Sequence, residues 1–240
     1  MSSRAGWIRG QIFAHRGLHL AAVPENSPAA FEAAIARGLG IECDVQASRD
    51  WQAMVFHDWE LDRLTDEAGP LLERDAAEIG GVTLSANGEA IPNLPHLLEQ
   101  IGGRAALLIE IKSRRGFPVE QLCRSVGNAL AGYDGDAAVM SFDPRAPRWF
   151  ADHAPDIVRG LVVTEEGKKG PRGAWERRLA LRHSRAEFLA YDIRDLPSRF
   201  AARARARGLP VASWTVRTPE LRERAAQHAD APIAEGDGLA

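Results

Sequence analysis

The sequence is poor in cysteine, lacks any long apolar run and carries almost balanced charge. Its 240 residues include two cysteines, and the formal net charge is −3. Cys43 and Cys123 are far apart and match no metal-binding spacing, so a disulfide scaffold is not expected. No apolar stretch approaches the roughly 18–20 residues that cross a bilayer. The charge balance predicts neither a nucleic-acid partner nor stable membrane insertion. The first residues lack the apolar core of a signal peptide, which favours a cytoplasmic location.

Short apolar runs alternate with helical patterns along the chain. Eight alternations in about 240 residues predict a single (β/α)8 TIM barrel over residues 1–240, with an open doubly wound sheet as the alternative. A segment rich in turn signals, at about 58–104, is interpreted as a small insertion between strand three and strand four. The eight predicted strands are 11–14, 40–45, 53–56, 105–111, 137–141, 157–163, 188–191 and 210–215.

Polar side chains are concentrated on the first four predicted strands. Residues i and i+2 of a strand share one face, so Glu42 points the same way as Asp44, and Glu110 the same way as Lys112. In barrels of this class the active site gathers at the carboxyl ends of the strands. The residues in question are His15, Glu42, Asp44, His57, Glu110 and Lys112.

The three carboxylates predict a metal site. Burying Glu42, Asp44 and Glu110 together without a cation would cost several kcal/mol for each charge. With no cysteine or histidine cluster beside them, they suit one hard divalent cation, Mg²⁺ or Ca²⁺. The sequence does not distinguish between these two ions.

The histidines and cations of the same strands indicate catalysis on an anion. His15 and His57 each close a predicted strand, and two imidazoles can divide the work of general acid and general base. Arg16 offers a bidentate fork for a phosphate, and Lys112 offers a point charge. Either histidine can take either role. A small anionic substrate is therefore expected.

These motifs together resemble the glycerophosphodiester phosphodiesterase family. The resemblance runs in the family's order from about residue 11 to 216. It implies a metal-dependent barrel hydrolase that cleaves glycerophosphodiesters to sn-glycerol 3-phosphate and an alcohol. The principal motifs are His15-Arg16-Gly17, Pro24-Glu25-Asn26-Ser27, Glu42-Cys43-Asp44, His57-Asp58 and Glu110-Ile111-Lys112.

The resemblance also implies a role for each matched position. The three carboxylates become metal ligands, the two histidines general acid and base, and Arg16 and Lys112 phosphate contacts. Glu25 and Asn26 match the family's loop after strand one and are expected to support the pocket. Trp214 ends predicted strand eight and is expected on the pocket wall.

Two departures from the family pattern leave the rim of the barrel open to interpretation. Leu64 and Thr65 stand where the family often has two threonines. The usual threonine-aspartate-x-proline ending is replaced by residues 231–235. Two other hypotheses remain beside the leading one: a phospholipase D-like phosphodiesterase acting on lysolipids, and a non-catalytic binder of phosphorylated small molecules.

Overall fold

A computed structural model of the chain describes residues 4–239 and shows a closed parallel barrel. The strands that form it are joined by helices on the outside, as in a (β/α)8 TIM barrel, so the predicted fold class is confirmed. Within residues 4–239 the nine strands are β1 (Phe13–Ala14), β2 (Gly40–Ala47), β3 (Ala53–Val55), β4 (Leu107–Ile111), β5 (Ala137–Ser141), β6 (Val158–Val163), β7 (Phe188–Asp192), β8 (Val211–Val216) and β9 (Ala231–Ala234).

The first strand closes the barrel because it pairs on both sides. Phe13 of β1 is in parallel register with Gly40 of β2 and with Ile233 of β9. The remaining parallel pairs run in sequence from β4 to β9, with β2 beside β4. Eight strands therefore form the wall, and β3 is not among them.

The interpretation of residues 53–56 as the third barrel strand was wrong. β3 pairs antiparallel with β2, with Val45 opposite Val55. β2 continues past the end of the barrel wall, and β3 brings the chain back along it. The eighth wall strand is β9, which the sequence analysis treated only as an unusual ending. Its run of four residues contains Pro232, and a short run with proline is a weak strand signal.

Four of the helices in the described part of the chain begin at a residue whose side chain caps the first turn. Side-chain oxygens of Ser27, Asn93, Ser198 and Thr218 each accept a backbone N–H of the following helix. Such caps satisfy donors that the first helical turn leaves unpaired. The helices are α1 (Pro28–Ala36), α2 (Ala76–Ile79), α3 (Leu94–Ile101), α4 (Val119–Leu130), α5 (Arg145–His153), α6 (Pro171–Ser184), α7 (Arg199–Ala206) and α8 (Pro219–His228).

Two apolar layers lie on the two faces of the barrel wall. Alternation along β2 places Ile41, Cys43 and Val45 in the outer layer, against the helices. Glu42 and Asp44 therefore face inward. A 3-10 helix, Arg4–Ile8, covers the amino-terminal end of the barrel, and its Ala5 and Ile8 side chains join the inner layer. The inner layer contains Ala5, Ile8, Phe13, Leu108, Ala138, Met140, Phe188, Ala190, Ala212 and Ile233.

The segment between β3 and β4 packs a small core of its own. Its 3-10 helix Leu71–Glu73 contacts β2, which fixes the segment beside the open end of the barrel. No helix in the described part of the chain is both long and apolar enough to cross a membrane. The core of the segment, with the β3 residue Met54, is formed by Met54, Phe56, Leu61, Leu71, Ile79, Val82, Leu84 and Ile91.

Candidate active site

Three buried carboxylates converge inside the open end of the barrel. Asp44 of β2 is the register partner of Glu110 of β4, and Glu42 lies two residues earlier on the same inward face. One oxygen of each carboxylate lies within 4.8 Å of the others. Glu42 and Asp44 are each 1% exposed and Glu110 is 9% exposed. The strand register thus produces the cluster that the sequence predicted.

Lys112 is the nearest cation to this cluster. Its Nζ lies 2.8 Å from Asp44 Oδ1 and 2.8 Å from Glu110 Oε1. Burial opposes the charged form of Lys112, but the two carboxylates outweigh it and raise the pKa of Lys112 above its ordinary value. Its side chain therefore remains an ammonium within the site.

The carboxylates differ in how they ionise. Burial, together with the charges of Asp44 and Glu110, raises the pKa of Glu42 well above its ordinary value. Burial also opposes ionisation of Asp44, but Lys112 and then Arg16 outweigh it and lower the pKa of Asp44. The protein's own cations thus leave Glu42 short of positive charge. A buried set of oxygen donors that lacks positive charge fits a divalent cation.

The loop after β1 holds Arg16 against the cluster. The Arg16 backbone N–H donates to Glu42 Oε2 at 3.0 Å, and its Nη1 donates to Glu25 Oε1 at 2.8 Å. Asn26 Nδ2 donates to Asp44 Oδ2 at 2.9 Å, and Asn26 Oδ1 accepts the Asp44 N–H at 3.2 Å. Arg16 and Asn26 have φ values of 54° and 55°, in the left-handed region. Backbone strain of this kind is typical of functional loops.

Hydrogen bonds hold His57 at both its side chain and its backbone. Its Nδ1 lies 2.6 Å from Asp58 Oδ1, and its carbonyl accepts from Gln46 Nε2 at 2.7 Å. Arg63 Nη2 donates to both Asp58 and Glu25, at 3.0 and 2.7 Å. Burial lowers the pKa of His57, and the charges of Lys112 and Arg16 lower it further. Asp44 and Asp58 raise it, but not enough to reverse the shift. His57 is therefore favoured as a neutral imidazole.

His57 reaches the barrel mouth by a route that the sequence did not indicate. It follows β3, which runs back along β2, and the N–H of Phe56 donates to the carbonyl of Asp44 at 3.1 Å. The antiparallel return therefore places His57 beside the carboxylates. The predicted location was correct, although the predicted reason, the carboxyl end of a parallel strand, was not.

His15 has a carboxylate partner, Glu235, that was not predicted from the sequence. Its Nδ1 contacts Glu235 Oε2, and Arg217 Nε donates to Glu235 Oε1 at 2.6 Å. Burial opposes ionisation of Glu235, but the adjoining side chains of His15, His19 and Arg217 outweigh it and lower the pKa of Glu235. Glu235 follows directly after β9. An acidic residue at the end of a correctly assigned last strand was the signal that could have identified it.

The site opens into two adjoining depressions of about 490 and 480 Å³. They share His57, Glu110, Lys112 and Phe142. The ring of Phe142 meets that of Trp214 edge to face, with centroids 5.3 Å apart. One depression is lined further by Trp59, Arg63 and Ser113, and the other by His15, Arg16, Glu42, Trp214 and Arg217.

All ten residues that the sequence singled out are thus brought to one end of the barrel. A family model described as the glycerophosphoryl diester phosphodiesterase family matches residues 15–234. The chain belongs to this family. Membership makes it a phosphoric diester hydrolase, as the resemblance implied.

Several known proteins are similar to this family member. A glycerophosphodiester phosphodiesterase of Caldanaerobacter subterraneus subsp. tengcongensis is 40% identical over 226 residues, covering 89% of this chain and 88% of that one. The YhdW protein of Bacillus subtilis is 32% identical over 162 residues, and the match covers 63% of this chain and 65% of YhdW. An Oleispira antarctica phosphodiesterase, solved with the product sn-glycerol-3-phosphate, has a TM-score of 0.83 at 26% identity, covering 96% and 94% of the chains.

Proposed function

We propose that this chain hydrolyses glycerophosphodiesters to sn-glycerol 3-phosphate and an alcohol, with the help of one divalent cation. The observation that carries the proposal is that two carboxylate-paired histidines, His15 and His57, line one depression with Glu42 and Glu110 of the buried carboxylate cluster. The Oleispira phosphodiesterase of the same fold, solved with sn-glycerol-3-phosphate, supports the choice of product.

Glu42, Asp44 and Glu110 are the residues proposed to hold the cation. Their donors are oxygens only, and one buried ammonium, Lys112, accompanies three carboxylates. Such a donor set suits Mg²⁺ or Ca²⁺ rather than zinc. When bound, the cation supplies charge neutralisation at a phosphoryl oxygen.

The two histidines are proposed to move the protons of the reaction. Nδ1 of His57 is engaged by Asp58, and Nδ1 of His15 by Glu235. In each ring Nε2 is then the nitrogen left to exchange a proton with the substrate. One histidine accepts a proton from the attacking hydroxyl or water, and the other donates a proton to the leaving alkoxide.

Arg16 and Lys112 are proposed to contact the phosphate. Arg16 lines the depression that contains His15, and Lys112 lies where the two depressions meet. Glu25 and Asn26 hold Arg16 and Asp44 in place through the hydrogen bonds described above. Positive charge fixed before the reaction stabilises the negative charge that develops on the phosphoryl oxygens.

The substrate can be tested by identifying products. Glycerophosphocholine, glycerophosphoethanolamine and glycerophosphoglycerol should each give sn-glycerol 3-phosphate, detected by phosphorus NMR. The kcat/KM values should fall within about two orders of magnitude of one another, as a few peripheral contacts allow. A diester that lacks the glycerol hydroxyl next to the phosphate should react much more slowly. Equal rates for that analogue would favour a general phosphodiesterase instead.

A phospholipase D-like activity on lysolipids is the second candidate. Phe142 is 46% exposed at the meeting point of the two depressions and could contact an acyl chain. The same screen, with lysophosphatidylcholine added, tests it. Release of choline at a kcat/KM above that for glycerophosphocholine would favour this candidate.

A further inference from the structure

A second group of metal-ligating side chains lies beside the carboxylate cluster. His15, His19 and Glu235 each offer one ligand atom, and these atoms lie within 4.8 Å of one another. Nδ1 of His15 and Nε2 of His19 both approach the same oxygen, Glu235 Oε2. The function proposed above uses His15 and Glu235 but leaves His19 without a role.

One nitrogen of the His19 ring, Nε2, is buried without a hydrogen-bond partner among the described residues. This nitrogen is inaccessible to solvent and makes no hydrogen bond of acceptable geometry to any described residue. It lies 3.5 Å from Glu235 Oε2. The loop that carries it is held by the hydrogen bond from the His19 N–H to the Gly17 carbonyl at 3.0 Å. A buried polar atom without a partner is costly unless another group binds it.

The donor types of this group differ from those of the carboxylate cluster. Two imidazole nitrogens and one carboxylate oxygen suit a borderline metal such as zinc, which takes such sets with one position left for water. Glu42, Asp44 and Glu110 offer only oxygens and suit a hard cation. The two neighbouring groups are therefore matched to different metals.

We propose that His15, His19 and Glu235 form an inhibitory site for zinc. Zinc on His15 Nδ1 leaves the proton on Nε2, and the ring can then neither accept a second proton nor readily release the one it holds. Zinc also occupies the Glu235 oxygen that otherwise orients His15. Inhibition follows whether His15 is the acid or the base. The inhibition rests on the proposed catalytic role of His15, whereas zinc binding does not.

Zinc binding is tested by equilibrium dialysis of the whole chain in a large excess of Mg²⁺. We expect one zinc per chain, and a loss of affinity of more than about tenfold in His19→Ala, because removing a ligand should cost at least as much as removing an outer-shell partner. His96→Ala removes an exposed histidine of α3 and should bind zinc as the unchanged protein does. Glu42→Gln should also retain the zinc. Loss of zinc in Glu42→Gln with full retention in His19→Ala would overturn the proposal.

Inhibition is measured on the same proteins with glycerophosphocholine in excess Mg²⁺. The zinc concentration for half inhibition should rise at least about tenfold in His19→Ala and stay unchanged in His96→Ala. Equal zinc sensitivity of His19→Ala and the unchanged protein would contradict the inhibitory site. If instead His15→Ala keeps full activity, the catalytic proposal fails, while the dialysis result still decides whether zinc binds.

Discussion

Asp44 and Glu110 stand opposite each other on adjacent parallel strands, and the ammonium of Lys112 lies 2.8 Å from an oxygen of each. The shared ammonium balances one of the three negative charges in the buried cluster. A divalent cation would join Lys112 there, because Glu42 still lacks sufficient positive charge. The proposed cation site of the carboxylates and the proposed phosphate contact of Lys112 are therefore adjacent.

Replacing Lys112 should separate these two functions. Lys112→Met should lower kcat by roughly 10²–10³, the effect of losing one donor to developing charge, while cation binding persists. Calorimetric cation titration beside steady-state kinetics measures both. Lys169→Met, in an exposed loop, is the control and should change neither. An unchanged kcat at saturating cation, with collapsed cation affinity, would show that Lys112 only organises the carboxylates.

Removing either imidazole should lower the rate of proton transfer. His15→Ala and His57→Ala should each lower kcat by roughly 10²–10⁴, the usual contribution of a positioned acid or base. Melting temperature should change less in His57→Ala than in His15→Ala, because His15 is buried and pairs with Glu235. His96→Ala controls for the loss of an exposed histidine. A variant that retains near-normal kcat would remove that histidine from the mechanism.

Glu235 should act on kcat through His15. Glu235→Gln retains the size of the side chain but removes its charge, and kcat should fall roughly 10–100-fold, as for other partners that orient a functional histidine. KM and melting temperature should stay nearly constant. Arg217→Gln, on the other oxygen of Glu235, should have a smaller effect. A rise in KM with constant kcat would place Glu235 in substrate binding.

The raised pKa of Glu42 should couple cation binding to pH. Without cation, Glu42 in the folded protein keeps its proton at pH values above the ordinary Glu pKa of 4.5. The contribution of Glu42 to stability is therefore present at low pH and is lost as the pH rises through the raised pKa. Cation binding requires the ionised form. The rise in melting temperature on adding Mg²⁺ or Ca²⁺ should therefore grow from pH 5 to pH 8.

Glu42→Gln is the control for this pH effect. The variant cannot titrate at position 42, so its melting temperature in chelator should depend less on pH over the same range. Asp44 contributes to stability in a different pH range. Its lowered pKa stabilises the folded protein at neutral pH, and this contribution is lost only as the pH falls below the ordinary Asp pKa of 3.8. A cation-induced shift that is the same at pH 5 and pH 8 would contradict the assignment of Glu42.

Gly17 should be required for the position of the loop after β1, which carries Arg16. It has φ +80°, and an added Cβ would lie 2.9 Å from the Cβ of Ala30. Gly10 has φ +79° and nothing within 4 Å of its added Cβ. Both alanine variants carry a backbone cost of about 1–2 kcal/mol. Gly17→Ala should lose a further 1–3 kcal/mol or so from the clash. Equal denaturant midpoints for the two variants would contradict this.

Much of the site could be predicted because its signals are local. The shared face of Glu42 and Asp44 follows from the period of two along a strand. The start of α1 follows from Ser27 and the proline after it, a cap that involves neighbouring residues only. The order of strands and helices sufficed for the barrel fold.

The rest depended on contacts between distant parts of the chain. The sequence does not indicate that β3 turns back along β2, because the apolar run of an antiparallel strand resembles that of a wall strand. Glu235 was missed because its partner, His15, lies 220 positions away. Only barrel closure, with β9 beside β1, brings the two together. The link between Glu25 and Arg63 likewise required the folded insertion.

Turnover is proposed to need a cation held by Glu42, Asp44 and Glu110. The most direct test is the rate of sn-glycerol 3-phosphate formation from glycerophosphocholine, after chelator treatment and then with Mg²⁺ or Ca²⁺ added back. Turnover should be negligible in chelator and restored by added cation, and Glu110→Gln should require a higher cation concentration. Full turnover in excess chelator would contradict this requirement.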